Sequence, residues 1–421
     1  MGARRQALQL PARALEQRLN ADTRDYGGPE LPCACGGSAH YHGRHEKTFE
    51  SALGPLRLDR AYYHCTQCQR GFCPRDRSLG LNSSSLTPGV LRMTASAAAL
   101  VSFPESSGLL RELAGVEVSA KQGERVAEAL GAEIAADEQK SVEKTGPGAP
   151  PLYRGMDGTG VPMRASEVAG RTGKQPDGSA KTREAKLVTV WSAESRDAEG
   201  KPRRDPGSVT YAAGIESAAT RDTSPELSDF AARVQREATR RGFYPATRRV
   251  VLGDGSAWIW NNTSELFPDA TQILDRLHAK EHLSNVGKII FSNPQASQPW
   301  IEQRYAELDV GHLQSLVRAL RPYAGQHQKA REGIHYIWNN RRRMRYPRFE
   351  QQGFCTATGV VEAGCKVVIG TRLKRAGMHW TVNGANAIIA LRCSKLSGRF
   401  EDFWERRSDP MKMDACLYPQ I

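Results

Sequence analysis

Asp157 and Asp254 are the residues of this chain with the clearest chemical potential. Asp157 stands in Tyr153-Arg-Gly-Met-Asp-Gly-Thr-Gly160 and Asp254 in Val250-Val-Leu-Gly-Asp-Gly255. Each closes an apolar run that reads as a strand, and each is followed by glycine, which lets backbone and ligand approach closely. Alone, an Asp-Gly step is a turn signal; a pair at matched strand ends suggests a site. On neighbouring strands the two carboxylates would face each other across a few ångströms and repel unless cations lay between them, and hard oxygen ligands select Mg²⁺ or Mn²⁺. Two such ions about 3.5–4 Å apart activate a water or a 3′-hydroxyl and stabilise the leaving oxygen of an in-line phosphoryl displacement. A third acid on a helix would complete the set. Glu362, in Thr358-Gly-Val-Val-Glu-Ala-Gly-Cys-Lys366, has small neighbours that permit close packing.

A second constellation is Cys33-x-Cys35 with Cys65-x2-Cys68. Four thiolates at the mouths of a hairpin match a tetrahedral structural zinc site, although most zinc ribbons carry two Cys-x2-Cys knuckles. His40, His42, His45, His64 and Cys73 are nearby alternative ligands.

The elements that must position these groups are read from periodicity. Lys47 to His64 alternates as a hairpin with Gly54-Pro55 as its turn, which would set the cysteine pairs side by side. From Ser85 to about Lys140 the pattern is helical, with Leu109, Leu110, Leu113, Val126, Ala127, Leu130 and Ile134 on one face. A break at Gly115–Ser119, with Ser119 as N-cap of the next helix, gives helix, turn, helix. Lys121 and Arg125 on the second helix are candidate DNA contacts. The breaker-rich Lys144–Pro151 is the clearest boundary. Beyond it Leu152–Met163, Lys186–Ala193 and Ser208–Ile215 read as three strands, the first two joined by a charged, glycine-containing mobile loop. Helix Ser224–Arg241, strand Arg248–Leu252, helix Ala257–Leu266 and strand Ala270–Leu274 follow. The order β-β-β-α-β-α-β is that of the ribonuclease H fold. Leu277–Arg343 is almost wholly helical, and helices over Thr358–Lys374 and Val382–Arg392 come last.

The expected fold class is therefore a mixed α+β and α/β multidomain chain. It comprises an N-terminal helix (1–30), a zinc-ribbon-like segment (31–75), a helix-turn-helix-like DNA-binding region (85–142), a ribonuclease H-like catalytic domain (152–276 and 355–393) with an all-helical insertion (277–350), and a tail (394–421). Basic runs at Arg341, Arg342, Arg343, Arg345 and Arg348, and at Arg372, Lys374 and Arg375 just after Glu362, would hold a DNA backbone beside the acids. Asp275 and His278 directly follow the fifth strand, where an aspartate and a histidine three residues apart on a helix are by themselves more often structural.

Bulk properties agree. The chain has 421 residues with a formal net charge of +13 from 59 Lys and Arg against 46 Asp and Glu, a balance that favours a polyanionic partner. It has no run of about 18 consecutive apolar residues, and Met1–Asn20 reads as a charged amphipathic segment and not as a signal peptide, so a cytosolic protein without membrane spans is expected. Nine cysteines, an odd number, suit metal ligands or buried thiols better than disulfides in that compartment.

Taken together these motifs resemble bacterial insertion-sequence transposases of the ISKra type, within the DDE, ribonuclease H-like group. The resemblance covers most of the chain. It is carried by Arg60-Ala-Tyr-Tyr-His-Cys65, Met156-Asp-Gly-Thr-Gly160, Gly253-Asp-Gly255 and, most specifically, Gly359-Val-Val-Glu-Ala-Gly-Cys-Lys366 continuing to Gly377-Met-His-Trp-Thr381 and Gly384-Ala-Asn386. It implies Asp157, Asp254 and Glu362 as the ligands of two Mg²⁺ or Mn²⁺ ions, and Asp275 with His278 as the Asp-x2-His form of an auxiliary motif. It further implies recognition of terminal inverted repeats, strand nicking and 3′-hydroxyl transfer into target DNA by a homo-oligomer on the bacterial nucleoid. A ribonuclease H-like nuclease or junction resolvase would use the same acids without joining products. A non-catalytic DNA-binding descendant would not need them.

Overall fold

A computed structural model describes residues 2–81, 84–140, 151–357 and 359–408, with backbone alone for residues 2–5 and 408. The expected boundary at Lys144–Pro151 lies outside the described residues except for Pro151, as do Thr358 and the tail beyond Ser408. The chain divides into two compact units, Met1–Ile134 with Gly398–Ile421, and Ala135–Ser397. No helix among the described residues is long and apolar enough to cross a membrane.

In the first unit, strands β1 (Glu30–Pro32), β2 (Ser38–Ser51), β3 (Gly54–Cys65) and β4 (Arg70–Phe72) form an antiparallel sheet in that order. Alternation puts Leu56 and Leu58 of β3 under the helix Gly2–Ala21, where they pack with Ala12 and Phe49. The hairpin turn differs from expectation. Ser51 pairs with Gly54, so Ala52 and Leu53 form the turn, and Gly54 (φ +113°) begins the return strand. The Ser51 hydroxyl accepts from the Leu53 amide (3.1 Å) and donates to the Gly54 carbonyl (2.6 Å), supplying turn chemistry that Ala-Leu does not advertise.

Helices Pro88–Leu100, Phe103–Leu109 and Ala120–Glu138 follow. The second runs into a π-helical turn, Leu110–Ala114, and stops where Gly115 takes φ +70°, a conformation that favours glycine. Ser119 caps the third helix as expected. Its Oγ accepts from the Gln122 amide (3.2 Å), while its own amide donates to Gln122 Oε1 (3.0 Å). The Phe400–Ser408 helix, which falls within the segment expected as a tail, belongs to this unit: Arg407 pairs with Glu133 at 2.7 Å and Arg92 with Glu401 at 2.6 Å.

The second unit is built on a five-stranded sheet of β5 (Leu152–Pro162), β6 (Thr182–Ser192), β7 (Thr210–Gly214), β8 (Arg249–Gly253) and β9 (Thr271–Leu274), in the order β7-β6-β5-β8-β9. β5, β6 and β7 form an antiparallel meander, while β8 and β9 run parallel to β5. Central strands buried on both faces read as continuous apolar runs, as Leu187 to Trp191 does. Helices Asp229–Arg240, capped by Ser228, and Ala257–Leu266 make the two crossovers flanking β8. Beyond β9, the helices Arg276–Ile290, Pro294–Asp309, Leu313–Leu320, Gln328–Asn340 and Tyr346–Gln351 form a block. Its apolar residues Leu283, Val286, Leu308, Leu316 and Ile337 join the sheet core in one continuous cluster.

The segment between β5 and β6, expected as an open loop, is built. It carries a short helix, Ala165–Val168, and a bridge between Thr172 and Ser179. It is also stitched to the C-terminal region: the Trp380 amide donates to the Pro162 carbonyl (3.1 Å) and the Arg164 amide to the Trp380 carbonyl (2.9 Å).

Candidate active site and metal centre

The β5–β8 register sets the two aspartates on one level. Parallel pairing ends at Gly155 with Leu252, and each aspartate lies two residues further along the chain, Asp157 within β5 and Asp254 one residue past the end of β8. Because strand side chains repeat every two residues, Asp157 and Asp254 fall at the same step beyond that last pair. Asp157 feels its neighbour. Burial first, and then the Asp254 charge, raises the Asp157 pKa above the ordinary carboxylate range, against the Cys365 thiol and the Gly158 amide (2.6 Å), which lower it. Asp254 is fixed by the Ser256 amide (2.8 Å) and hydroxyl (3.0 Å), and its carbonyl accepts from the Tyr336 hydroxyl (3.1 Å).

The helix bearing Glu362, Gly359–Gly364, crosses the same face of β5 and β6. Two glycines allow it. A Cβ on Gly155 would overlap Val361 Cγ2, and one on Gly364 would meet Leu187 Cδ2 at 2.8 Å. The helix continues as a π-helical turn, Cys365–Gly370, whose Val367 and Val368 carbonyls accept from the buried Arg392 guanidinium. Cys365 lies three residues beyond Glu362, on the same helical face, and its thiol is near enough to Asp157 to favour the ionised carboxylate. Burial, then the Asp157 charge, pushes that thiol far up, so it stays protonated. Glu362 itself is exposed. Among the described residues the three acids do not gather within 4.8 Å of one another. Ligands of two different ions about 3.5–4 Å apart have no need to.

Asp275 caps the first helix after β9, accepting from the amides of Leu277 (2.8 Å) and His278 (3.4 Å). His278 is near enough for its charge to lower the Asp157 pKa. Three further groups carry no clear sequence signal: Cys365, Tyr336 and His282. The Tyr336 ring stacks on His282 (4.1 Å, 14° between planes), which meets His278 edge-on at 6.1 Å. Tyr336 and His282 come from helices of the block, and the only local hint is a run of aromatic and histidine residues at helical spacing.

The basic candidates fare unevenly. Lys374 is exposed, and its ammonium donates to Thr159 Oγ1 (2.8 Å), two positions beyond Asp157 on the same face. Arg341, Arg342, Arg345, Arg348 and Arg375 are exposed, Arg343 only partly so. Arg343 is held by Gln272 (2.8 Å) and stacked on Trp260 at 4.3 Å. Arg372 is a correction. It is 0% exposed and lies under Trp380 (5.3 Å), so it supports the fold and does not face a ligand. In the first unit Arg125 is exposed, and Lys121 is paired with Glu124 at 2.7 Å.

The four cysteines meet at one end of the first sheet. The β2–β3 register brings Cys65 opposite Ala39, and the β1–β2 connection carries Cys33 and Cys35 to the same end. All four Sγ atoms lie within 4.8 Å of one another, with Cys33–Cys68 at 3.6 Å and Cys35–Cys65 at 3.7 Å. Zn–S bonds of about 2.3 Å give a tetrahedral S···S edge of about 3.8 Å, so the spacing fits a structural zinc ion and is far too long for disulfides. Gly36 (φ +86°) and Gln69 (φ +57°) each follow the second cysteine of a pair in left-handed backbone, so the two knuckles share a geometry despite their unequal spacing. Amides of Cys68 and then Gln67 donate toward Cys65 and draw its thiol down to about 7, which favours the thiolate that zinc binds.

No protein-family model matches the chain, and no curated protein matches it. A solved structure, the Drosophila P element transposase strand transfer complex, is similar at 9% identity and a TM-score of 0.25, covering 80% of this chain and 84% of that one. A TM-score that low bears on neither the fold nor the activity of this chain.

Proposed function

We propose that the chain is a DDE transposase of the ISKra type, built on a ribonuclease H-like catalytic domain (152–276 and 355–393) with a helical insertion (277–350). The reading is carried by one observation: Asp157 on β5 and Asp254, just past the end of the neighbouring parallel strand β8, each lie two residues beyond the last β5–β8 pair, and the helix of Glu362 packs on β5 at Gly155. The antiparallel meander followed by two parallel strands in the order β7-β6-β5-β8-β9 is the order expected of that fold.

In this reading Asp157, Asp254 and Glu362 hold two Mg²⁺ or Mn²⁺ ions. The donor set fits: it is all hard oxygen, and the repulsion Asp157 feels from Asp254 is the kind a divalent cation relieves. When bound, such ions supply Lewis-acid stabilisation of the phosphate and lower the pKa of the attacking hydroxyl. The residues do the rest. Ser256 and Tyr336 orient Asp254, Cys365 orients Asp157, and exposed Lys374 and Arg375 give positive charge to a phosphate backbone. The substrate is then DNA, with element ends recognised by the zinc-ribbon segment (31–75) and the helices of 85–142, in a cytosolic homo-oligomer. The test is cleavage and joining of a labelled DNA end in Mg²⁺ or Mn²⁺. Asp157→Asn, Asp254→Asn and Glu362→Gln each abolish both steps while leaving DNA binding largely intact; full activity in any one of them removes that residue from the site.

A further inference from the structure

β5 and β6 run on past their neighbours. β6 pairs with β7 only from Lys186 to Val190, and β5 pairs with β8 only up to Gly155, so Gly158–Pro162 and Thr182–Ala185 continue as a two-stranded ribbon beyond the aspartates. The outer edge of this ribbon borders a cavity of about 430 Å³ lined by Arg171, Thr182, Arg183, Glu184, Lys186 and Glu216. Its acids are already occupied. Glu216 is gripped by Arg233 in two bonds (2.5 and 3.1 Å), and Glu184 sits 3.4 Å from Lys186. Glu167, on the short helix, also faces Arg183.

Arg171 and Arg183 differ from the other cations there. Neither has a carboxylate within 4.0 Å among the described residues, and each offers five unused N–H donors. They lie close enough that, after burial, the Arg171 charge is the main influence destabilising the Arg183 cation. Two guanidiniums on one polar cavity, neither of them ion-paired among the described residues while Glu184 and Glu216 are engaged by Lys186 and Arg233, form a receptor for an external anion. Guanidinium forks match phosphate oxygens in particular. Along the ribbon, Arg183 pairs with Val161, four residues beyond Asp157 on β5, a separation a polynucleotide backbone can bridge.

We propose that the Arg171–Arg183 cavity at the ribbon edge is a phosphate-binding site that holds the backbone of the nucleic acid entering the Asp157–Asp254 face. The site rests on the transposase reading for the identity of its ligand, but its test needs no catalysis. Binding of a fluorescent DNA duplex to the full chain is measured without added Mg²⁺ or Mn²⁺, and without chelator, at several salt concentrations. Removing both charges with Arg171→Ala and Arg183→Ala reduces the slope of log K against log salt by roughly 1–2, since each neutralised phosphate contributes about 0.9. Arg171→Lys with Arg183→Lys keeps the slope close to that of the parent chain. An unchanged slope in the alanine double variant, with its thermal melt also unchanged, overturns the proposal. If inorganic phosphate raises the melting temperature of the parent chain but not of the alanine variant while the DNA slope is the same in both, the cavity takes free phosphate and the nucleic-acid assignment fails. A parent chain that binds DNA with a normal slope but never cleaves it sinks the transposase reading and leaves this site standing.

Discussion

The thiol of Cys365 reaches the carboxylate of Asp157 closely enough to stabilise its charge, joining the strand that opens the second sheet to the helix that closes the candidate site far along the chain. The contact lowers the Asp157 pKa against burial and against Asp254, and so helps keep Asp157 ionised for a cation. Replacing Cys365 with Ala removes the thiol without adding bulk. The acid limb of the pH–rate profile for cleavage then moves to higher pH, and Cys365→Ser, which carries an O–H donor, moves it back. Identical profiles for the alanine variant and the parent would leave the thiol a packing group only.

Gly155 is where the glutamate helix touches the sheet. A methyl group there would lie well inside van der Waals contact with Val361 Cγ2, so Gly155→Ala must displace backbone or helix, at a cost of about 1–3 kcal/mol. A lower melting temperature together with loss of cleavage is expected. Gly353, whose Cβ would meet nothing nearer than Arg196 at 3.8 Å, is a poor control because its φ of +74° favours glycine; Gly359, with open space around it, is the better one. If Gly155→Ala melts and cuts like the parent, the helix does not depend on that close approach.

The zinc centre makes a separable prediction. Structural zinc contributes on the order of 10 kcal/mol to folding, and the cysteine end of the first sheet rests on a small cluster of Ala39, Ala61, Tyr63 and Cys65 with Leu31, Tyr41 and Phe72 packed against it. Cys65→Ser, or a strong chelator, therefore lowers the unfolding temperature of the first unit, and the purified chain contains one zinc per molecule by elemental analysis. A metal-free protein with an unaltered melt would leave four reduced thiols in place of a centre.

His282 predicts a pH dependence of stability. Burial, then the charges of His278 and Lys329, lower its pKa in the folded chain below the ordinary histidine value. The unfolded chain then binds the proton more readily, so the stability His282 contributes is present above the unfolded pKa of about 6.5 and is lost as pH falls through it toward the folded value. His282→Phe keeps a ring against Tyr336 without the titration, and its melting temperature should fall less than the parent's between neutral pH and about pH 5.5. Equal losses would assign the acid sensitivity elsewhere.

Local sequence was enough to specify most elements. Strands β5 to β9 and the helices between them follow from periodicity, and the start of the Ala120–Glu138 helix from the cap Ser119, although the helix expected from Ser224 begins only after the cap Ser228. The cysteine spacing likewise foretold four thiols that meet at zinc-like distances. Other features arise only when distant segments pack. The Ala52–Leu53 turn is hidden in the sequence because a serine side chain supplies its hydrogen bonds, whereas Gly54-Pro55 looks like the stronger turn. Arg372 shares a basic run with Lys374 and Arg375, yet the helix turns it inward under Trp380 and leaves the other two outside, a division that net charge cannot express. The pairing of Cys365 with Asp157, of Tyr336 with Asp254, and the ribbon fastened by Trp380 all depend on which surfaces close on one another. That is a matter of shape and burial across the whole unit, and no local pattern in the chain encodes it.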